Sequence, residues 1–490
     1  MPWVLFSVFI CALIIVLFYY PRCRRENEPP LDKGFIPWLG HALAFQKDVA
    51  KFLSRMKEKH GDVFTLCVAG HYVTVLMDPH SFDEVLNDDV HLDFSHSRQQ
   101  LIKRVFGLQL PGIEPAAEKK FMEAWCLTCR HFRGVCLSEM DRLMSAHLQE
   151  ILLEDLYSQS QWKQEGLFSL CYRLLFRAGY LTLFESTKDV AAVYKEFRKF
   201  DHLLSKLARR SLKGEESEKV HSSRERLWQL LSLNNKHSGD SKWRSWQRSY
   251  QGFLQEQGVD AEMQRRALLL QLWTTQCNAG PAAFWLLGFL LTHPKAMEEV
   301  QTEIKGLSLQ GSSSQCSPSM VQMKKTPVLD SVLKETLRLT AAAMISRDVV
   351  QHKVLHMANG QEYYLRRGDK VCLFPFLSPQ MDPEIHQEPH TFKYDRFLNA
   401  DLTARDDFYK DGRRLKYFTM PWGAGSNVCV GKDFAMTIIK KFVLLMLTHV
   451  ELKICDREAQ LPPVNSSRYG FGMLQPDGDL QVCYRLKTMT

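Results

Sequence analysis

The 490-residue chain has no long basic run, no internal repeat and no regularly spaced cysteine framework. Its net charge of +8 is spread thinly after Arg22, Arg24 and Arg25, so a nucleic-acid partner is not expected. The thirteen scattered cysteines, an odd number, argue against a disulfide scaffold and indicate a reducing compartment. A hydrophobic content of 45% excludes disorder as the main state.

One cysteine cluster has spacing that resembles a metal site. Cys126, Cys129, His131 and Cys136 offer a CxxC pair with two further ligands nearby. A structural zinc site usually needs a second ligand pair at matching distance. Residues 121–133 also have the period of an amphipathic helix, so a helix is favoured over a metal site.

The N-terminus carries no charged side chain from Pro2 to Tyr20. About nineteen helical residues nearly span a hydrocarbon core of roughly 30 Å. The arginines that follow favour a cytoplasmic location for the rest of the chain. We therefore expect a single-pass membrane anchor (residues 1–20), a basic, proline-containing linker (21–30) and one cytoplasmic domain (31–490).

The pattern beyond the linker predicts a mainly α fold with a smaller β region. Residues 63–76 alternate around Ala69-Gly70-His71 as in a β-hairpin, and residues 121–296 are mostly helical in period. Strand character returns at residues 371–376. A final hairpin is predicted over residues 469–485, around Pro476-Asp477-Gly478.

One predicted helix is unusually long and apolar nearly all round. Asp260 is its predicted N-cap, and apolar residues continue from Ala267 to Leu291. Pro281, in Asn278-Ala279-Gly280-Pro281, removes a backbone donor and leaves the carbonyl of Cys277 without its helical partner. We expect a kink there, with freed polar groups that either serve packing or make room for a ligand.

A glycine-rich loop, Pro421-Trp422-Gly423-Ala424-Gly425-Ser426-Asn427-Val428-Cys429-Val430-Gly431, precedes a helical run from Phe434 to Leu447. Helix-start amides favour a thiolate at Cys429, and glycines let a flat macrocycle approach the backbone. Cysteine thiolate is a known axial ligand of haem. The alternative is a buried structural cysteine beside a turn.

A charged pair lies on another predicted helix, which opens at Thr326-Pro327. Glu335 and Arg338 share one helix face, and the residues around them are apolar. This pattern favours a buried ion pair over a solvent-exposed one. Arg396, in Phe392-Lys393-Tyr394-Asp395-Arg396-Phe397, is the candidate third member.

The order of these features resembles the cytochrome P-450 superfamily: a kinked helix, Glu-x-x-Arg, an Arg-Phe segment and a loop ending in Cys-x-Gly. The chain is further similar to the branch that isomerises prostaglandin H2. That similarity is carried by Pro29-Pro30-Leu31-Asp32, residues 55–62 and Arg468-Tyr469-Gly470-Phe471-Gly472. Sterol 12α-hydroxylases share Pro37-Trp38-Leu39-Gly40 and Met420-Pro421-Trp422-Gly423, which therefore do not separate the two branches.

The resemblance implies haem as the cofactor, with Cys429 as its axial ligand. It also implies that Glu335, Arg338 and Arg396 form a triad that braces the haem loop. In the family, the position two before the cysteine usually holds an arginine or histidine for a haem propionate. This chain has Asn427, so the propionate partners must lie elsewhere, with Arg366 and Arg367 as candidates.

The kinked helix departs from the monooxygenase pattern of an acid followed by threonine. Here the pair is Asn278-Ala279, in which alanine donates nothing and asparagine has no titratable proton. The resemblance implies an isomerase that converts prostaglandin H2 to prostaglandin I2 without dioxygen, NADPH or a reductase. Asn278 is the candidate hydrogen-bond donor to the endoperoxide. Its alternative role is to satisfy the carbonyl freed by Pro281.

Further substrate contacts are implied by the resemblance alone, at Arg104, Leu110, Ser346, Arg347 and Lys370. Arginine or lysine suits a fatty carboxylate, and leucine suits an apolar chain. The same cations equally suit haem propionates or solvent. Two other functions stay open: a sterol or fatty-acid monooxygenase, which needs a reductase and NADPH, and a haem sensor or electron carrier, which needs no substrate cavity.

Overall fold

A computed structural model gives the fold of the protein. It describes Trp3, Phe9 and residues 22–36, 38–109, 134–157, 162–184, 189–232, 246–309, 325–425 and 428–487. The predicted anchor lies outside the described residues, apart from Trp3 and Phe9. The same holds for Leu110, Asn427 and three members of the cysteine cluster, Cys126, Cys129 and His131.

Helices account for most of the regular structure in the described residues. In chain order they are α1 (Ala42–Lys47), α2 (Val49–His60), α3 (Asp83–Leu86), α4 (Ser95–Phe106), α5 (Gly134–Tyr157), α6 (Leu167–Phe184), α7 (Val190–Ala208), α8 (Gly214–Ser232), α9 (Trp246–Glu256), α10 (Ala261–Gln276), α11 (Ala279–Thr292), α12 (Pro294–Leu309), α13 (Pro327–Thr340) and α14 (Lys432–His449).

The strands are short and form a smaller part of the fold. In chain order they are β1 (Leu31–Asp32), β2 (Val63–Val68), β3 (His71–Leu76), β4 (Leu92–Asp93), β5 (Lys163–Gly166), β6 (Ile345–Val349), β7 (Lys353–His356), β8 (Glu362–Leu365), β9 (Lys370–Leu373), β10 (Tyr409–Lys410), β11 (Arg413–Arg414), β12 (Val450–Ile454) and β13 (Gln481–Leu486).

The chain divides into two compact units, and the first comprises residues 1–97, 342–389 and 408–427. Its main sheet has the strand order β1-β2-β3-β9-β6-β4. Apolar side chains from this sheet and the loops beside it form one core, which includes Leu76, Phe82, Leu373 and Met420. Burial of these side chains holds the sheet of this unit together.

The hairpin predicted over residues 63–76 is confirmed in this unit. Strands β2 and β3 pair antiparallel from Val63 opposite Leu76 to Val68 opposite His71. The turn between them uses positive φ angles at Ala69 (49°) and Gly70 (79°). The strand predicted near residues 371–376 is β9, which pairs parallel with β3.

The second unit comprises residues 98–341, 390–407 and 428–490 and is mainly helical. Helix α6 packs against α5 and α11. Among the described residues, α6 is the one helix long and apolar enough to cross a membrane, but 78% of it is buried inside the protein. We therefore assign α6 as a core helix of this unit.

The predicted final hairpin is wrong. Strand β13 pairs antiparallel with β12, from Val450 opposite Leu486 to Ile454 opposite Val482. On its other edge β13 pairs with β5, with Gln481 opposite Gly166. The alternating pattern identified the strand, but its partners come from distant parts of the chain, which the local turn signal does not encode.

The long predicted helix consists of two helices, α10 and α11, separated at Cys277 and Asn278. Asp260 caps α10 as predicted, since its carboxylate accepts from the N–H groups of Glu262 and Met263 at 2.9 and 3.0 Å. Pro281 lies in the first turn of α11, where a missing N–H costs little. The predicted kink is therefore a full break in the helix.

Candidate active site

Cys429 lies directly before α14, whose N-cap is Gly431. The N–H of Lys432 donates to the carbonyl of Cys429 at 3.3 Å, which ties the cysteine to the helix start. Desolvation by the surrounding protein raises the pKa of the Cys429 thiol, and the N–H of Gly431 only partly opposes it. The contribution of the helix start to this pKa thus has the expected sign, but desolvation outweighs it.

The donor set around Cys429 fits an iron carried in a macrocycle. Among the residues that the structure describes, no three His, Cys, Asp or Glu side chains are grouped as a metal site. A single cysteine thiolate suits an iron whose other ligands come from a porphyrin. Val428 and Val430, 44% and 37% exposed, provide apolar surface beside the thiol, as a flat apolar cofactor requires.

The predicted buried pair is present on α13, and Arg396 joins it. Glu335 accepts from Arg338 Nε at 2.7 Å and Nη2 at 2.8 Å, and from Arg396 Nε at 2.9 Å. The backbone N–H of Lys393 donates to the same carboxylate at 3.1 Å. Glu335 and Arg338 are completely buried. The triad therefore ties α13 to residues 393–396 through a fully desolvated carboxylate.

The N-terminus of α13 is capped by a residue that the sequence did not identify. The helix begins at Pro327 with Thr326 at the N-cap position, as predicted, but the Thr326 side chain makes no cap hydrogen bond. The Glu303 carboxylate of α12 accepts from the N–H groups of Val328 and Leu329 at 2.9 and 3.0 Å. A carboxylate at a helix N-terminus is favourable for the helix dipole.

Asn278 lies at the break between α10 and α11. Its Oδ1 accepts from the backbone N–H of Met473 at 3.0 Å. The carbonyl of Cys277, which Pro281 was expected to free, is approached by the Tyr172 hydroxyl at 3.5 Å. The alternative role of Asn278, satisfying that carbonyl, is therefore wrong. Neither Met473 nor Tyr172 was identified from the sequence.

Helix α11, which begins directly after Asn278, packs against α14, which follows Cys429. Burial raises the pKa of the Cys277 thiol strongly, and smaller contributions come from the charges of Asp201 and of Cys429. Cys277 directly precedes Asn278. The fold of the second unit thus brings Asn278 and Cys429 into one region, although 150 residues separate them in sequence.

Arg104, on α4, is bound to backbone. Its Nη1 donates to the carbonyl of Ala208 at 2.6 Å. Burial lowers the pKa of Arg104, and the charge of Arg210 lowers it further. The guanidinium therefore has little negative charge around it. The carboxylate of a fatty acid would be a compatible partner.

Ser346, Arg347 and Lys370 lie on the neighbouring strands β6 and β9 of the first unit. The Lys370 ammonium is bound by the Asp348 carboxylate and the Ser97 hydroxyl. Its charge is therefore already neutralised within the sheet. The carbonyl of Ser346 accepts from Arg347 Nη1 at 3.0 Å.

Arg347 has an orphaned donor. The residue is 3% exposed, and its Nη2 has no hydrogen-bond partner in the described part of the chain. Burial lowers the pKa of Arg347, although Asp89 and Asp93 partly oppose this. A buried unsatisfied guanidinium nitrogen carries a large desolvation cost, which an anion would offset. Among the implied cations, Arg347 thus fits an anionic partner best.

Arg366 and Arg367, the two other candidates for binding a haem propionate, make different contacts. Arg366 forms a bidentate ion pair with Glu28, at 2.8 Å for the longer contact, and donates to the carbonyl of Cys23 at 2.9 Å. It is therefore engaged with the segment that follows the predicted anchor, and its assignment as a propionate partner is wrong. The backbone N–H of Arg367 donates to His352 at 3.1 Å.

Comparison with known proteins decides the family. The cytochrome P450 family model matches residues 253–483. Prostacyclin synthase of Rattus norvegicus is 48% identical over 482 residues, which cover 95% of each chain. The chain belongs to the cytochrome P450 family. It therefore has the mainly helical P450 fold, and its cofactor is a haem whose iron is ligated by a cysteine thiolate.

Two further relatives of this cytochrome P450 are named for different activities. Prostacyclin synthase of Homo sapiens is 47% identical over 484 residues, with 95% of each chain covered. The 7-alpha-hydroxycholest-4-en-3-one 12-alpha-hydroxylase of Homo sapiens is 40% identical over 504 residues, with 99% of each chain covered. The first relative is named for a synthase and the second for a hydroxylase.

Proposed function

We propose that this P450 is an isomerase that converts prostaglandin H2 to prostacyclin without dioxygen, NADPH or a reductase. The observation that carries the proposal is the break between α10 and α11, where Met473 fixes the Asn278 amide and position 279 is an alanine. Splitting dioxygen requires protons at the distal oxygen, whereas an endoperoxide already contains its oxygen–oxygen bond. The relatives named prostacyclin synthase, at 47% and 48% identity, support this activity.

Cys429 is the residue that would hold the haem iron. When bound, haem with a thiolate ligand supplies cleavage of the oxygen–oxygen bond. The buried Glu335–Arg338–Arg396 triad would brace the region around the haem loop by fixing α13 to residues 393–396. The orphaned Nη2 of Arg347 supports its assignment to an anion, a haem propionate or the substrate carboxylate.

Asn278 would orient the substrate. Because its Oδ1 is occupied by Met473, its Nδ2 is the group that donates a hydrogen bond to an endoperoxide oxygen. An amide cannot transfer a proton at neutral pH, so Asn278 positions the neutral endoperoxide and leaves its protonation unchanged. Arg104, Leu110, Ser346 and Lys370 remain proposed contacts for the rest of the substrate.

A sterol monooxygenase is the second candidate, supported by the 40% identical hydroxylase. Two threonines lie near the break, but both bond their own helix. Thr274 Oγ1 donates to the carbonyl of Gln271 at 3.1 Å, and Thr275 Oγ1 donates to the same carbonyl at 2.8 Å. Neither hydroxyl replaces the one that position 279 lacks. The helix break thus favours the isomerase.

We further propose that the protein is held in the endoplasmic reticulum membrane by residues 1–20, with the catalytic domain in the cytoplasm. The uncharged run from Pro2 to Tyr20 and the arginines that follow it support this topology. Removing residues 1–20 should release the protein from membranes at least partly. The haem spectrum should be unchanged, since the linker separates the anchor from Cys429.

The function is tested by incubating purified haem-loaded protein with prostaglandin H2 in the absence of NADPH and identifying the product. We expect prostacyclin, detected as its stable hydrolysis product. Cys429→Ala is the matched control and should lose both the thiolate-type carbon monoxide spectrum and turnover. Untouched prostaglandin H2, with hydroxylation of a sterol once reductase and NADPH are added, would contradict the isomerase.

A further inference from the structure

Asp201, on α7, is a completely buried carboxylate that joins three segments of the second unit. Its Oδ1 accepts from Arg468 Nη2 at 3.0 Å and from Trp273 Nε1 at 3.1 Å. Its Oδ2 accepts from Gln475 Nε2 at 2.7 Å. Together with the nearby Tyr172, these residues form the Asp201 cluster, which no part of the proposed mechanism has used.

The cluster is charged as well as buried. Arg468 is 3% exposed, and its Nη1 donates to the backbone carbonyl of Asp201 at 2.8 Å. Burial alone would raise the pKa of Asp201, but the charges of Arg468 and Arg198 and the bond from Gln475 outweigh it. The pKa of Asp201 therefore lies below its usual range, and the buried pair is ionic at neutral pH.

The cluster fixes both ends of a short segment, residues 468–475, which we call the C-terminal loop. Arg468 and Gln475, at its two ends, bind the same carboxylate. Between them, the N–H of Met473 donates to Asn278 Oδ1 at 3.0 Å. The position of the Met473 donor thus depends on a loop whose two ends are held by Asp201.

The cluster also contacts the helices on the other side of Asn278. Trp273 lies on α10, about one turn before the break. The Tyr172 hydroxyl lies 3.5 Å from Asp201 Oδ2 and 3.5 Å from the carbonyl of Cys277. Asp201 therefore contacts both α10, which ends just before Asn278, and the loop that orients the Asn278 side chain.

We propose that Asp201 is a positioning residue for the endoperoxide reaction, acting through the C-terminal loop to set the side chain of Asn278. This inference rests on the proposed function, because the orientation of Asn278 matters only if its amide meets the substrate. Asp201 itself touches no reacting atom. Its loss should release the loop ends, weaken the Met473–Asn278 bond and let the amide rotate.

A double-mutant cycle distinguishes this role from general destabilisation. Gln475→Ala removes one loop end without unpairing a buried charge, and Asp201→Asn removes the shared acceptor. Each should lower kcat for prostaglandin H2 roughly tenfold per haem, with a smaller change in KM, as expected for misorientation of a reacting group. In an Asn278→Ala background neither substitution should lower kcat further.

The matched control is the buried pair of Asp141 and Lys441, whose Oδ2 and Nζ lie 2.6 Å apart in the same unit. Neither residue bonds the C-terminal loop or Asn278. Asp141→Asn should lower thermal stability while kcat per haem stays within about twofold, since it disturbs no bond to Asn278. Full additivity of Gln475→Ala with Asn278→Ala would overturn the inference.

Hydrogen exchange tests the same inference without any activity measurement. In the wild-type protein the Met473 amide should be protected, and Gln475→Ala or Asp201→Asn should raise its exchange at least tenfold, while Asp141→Asn should not. Unchanged exchange at Met473 would overturn the positioning role, even for an active enzyme. An inactive wild type with raised exchange in the variants would refute only the proposed function.

Discussion

The backbone N–H of Met473 donates to Asn278 Oδ1 over 3.0 Å. A backbone N–H selects the oxygen of an amide side chain, so this bond decides which end of the Asn278 side chain faces the loop. The nitrogen end has no hydrogen-bond partner in the described residues. Asn278 therefore presents a fixed donor at the helix break, and the proposed catalysis depends on that donor.

Replacing the donor while keeping the acceptor should separate the two ends of Asn278. Asn278→Asp retains an oxygen for the Met473 N–H but loses the NH2 group. We expect kcat to fall about 100-fold, the usual loss for one preorganised donor, with little change in thermal stability. Steady-state kinetics at constant haem content measure this. Full turnover by Asn278→Asp would show that no donor is needed.

Gly472 should be essential for the geometry at Asn278. Its φ is +88°, and a Cβ added there would lie 2.7 Å from Asn278 Oδ1. Gly360 is the matched control, because its φ is +85° and nothing lies within 4 Å of an added Cβ. Each alanine variant should lose about 1–2 kcal/mol of stability from backbone strain. Only Gly472→Ala should also lose turnover, measured per haem. Equal turnover in the two variants would be inconsistent with this account.

Breaking the buried triad should unfold the region around α13. Glu335→Gln leaves Arg338 and Arg396 buried without a counter-charge, which should cost about 3–5 kcal/mol in the free energy of unfolding. Urea titration and haem content measure the effect. The control is Glu451→Gln, whose partner Arg485 is 41% exposed at the surface and whose loss should be small. Equal losses in the two variants would argue against a structural role for the triad.

Two carboxyl groups of the first unit should give opposite pH dependences of stability. Burial opposes ionisation of Asp88, but the N–H of His91 and the Lys353 ammonium outweigh it and lower its pKa to about 2. Asp88 therefore stabilises the fold above the usual carboxyl pKa of 3.8, and this is lost as pH falls towards 2. Burial raises the pKa of Asp369 despite its pairing with Arg22, so ionising Asp369 opposes folding.

Thermal unfolding between pH 7 and pH 3 tests this contrast. Asp88→Asn should be less stable than wild type at pH 7, and the difference should shrink as the pH falls. The stability of Asp369→Asn relative to wild type should instead decrease as the pH falls over the same range. Parallel curves for the two variants would contradict the assigned pKa directions.

The sequence predicted features that are local or that depend on one residue type. The β-hairpin around Ala69-Gly70 follows from alternation and turn residues, and the break near Pro281 follows from the missing N–H. The Glu335–Arg338 pair follows from helix spacing. Each of these signals lies within a few residues of the feature that it specifies.

Non-local partners were not predictable in this way. The carboxylate that caps α13 comes from Glu303 on another helix, and β13 pairs with β12 and β5 rather than forming a hairpin. The Met473 bond to Asn278 spans 195 residues. The glycine at position 472 was the available hint, because a positive φ permits close approach of the loop backbone to Asn278.

The central claim, an isomerase that uses no external oxygen, is tested most directly by oxygen labelling. Purified protein is given prostaglandin H2 under oxygen-18 gas, with and without NADPH and a reductase, and the product is analysed by mass spectrometry. We predict prostacyclin at the same rate in both cases and under nitrogen, with no oxygen-18 in the product. A product that requires NADPH and carries oxygen-18 would contradict the claim.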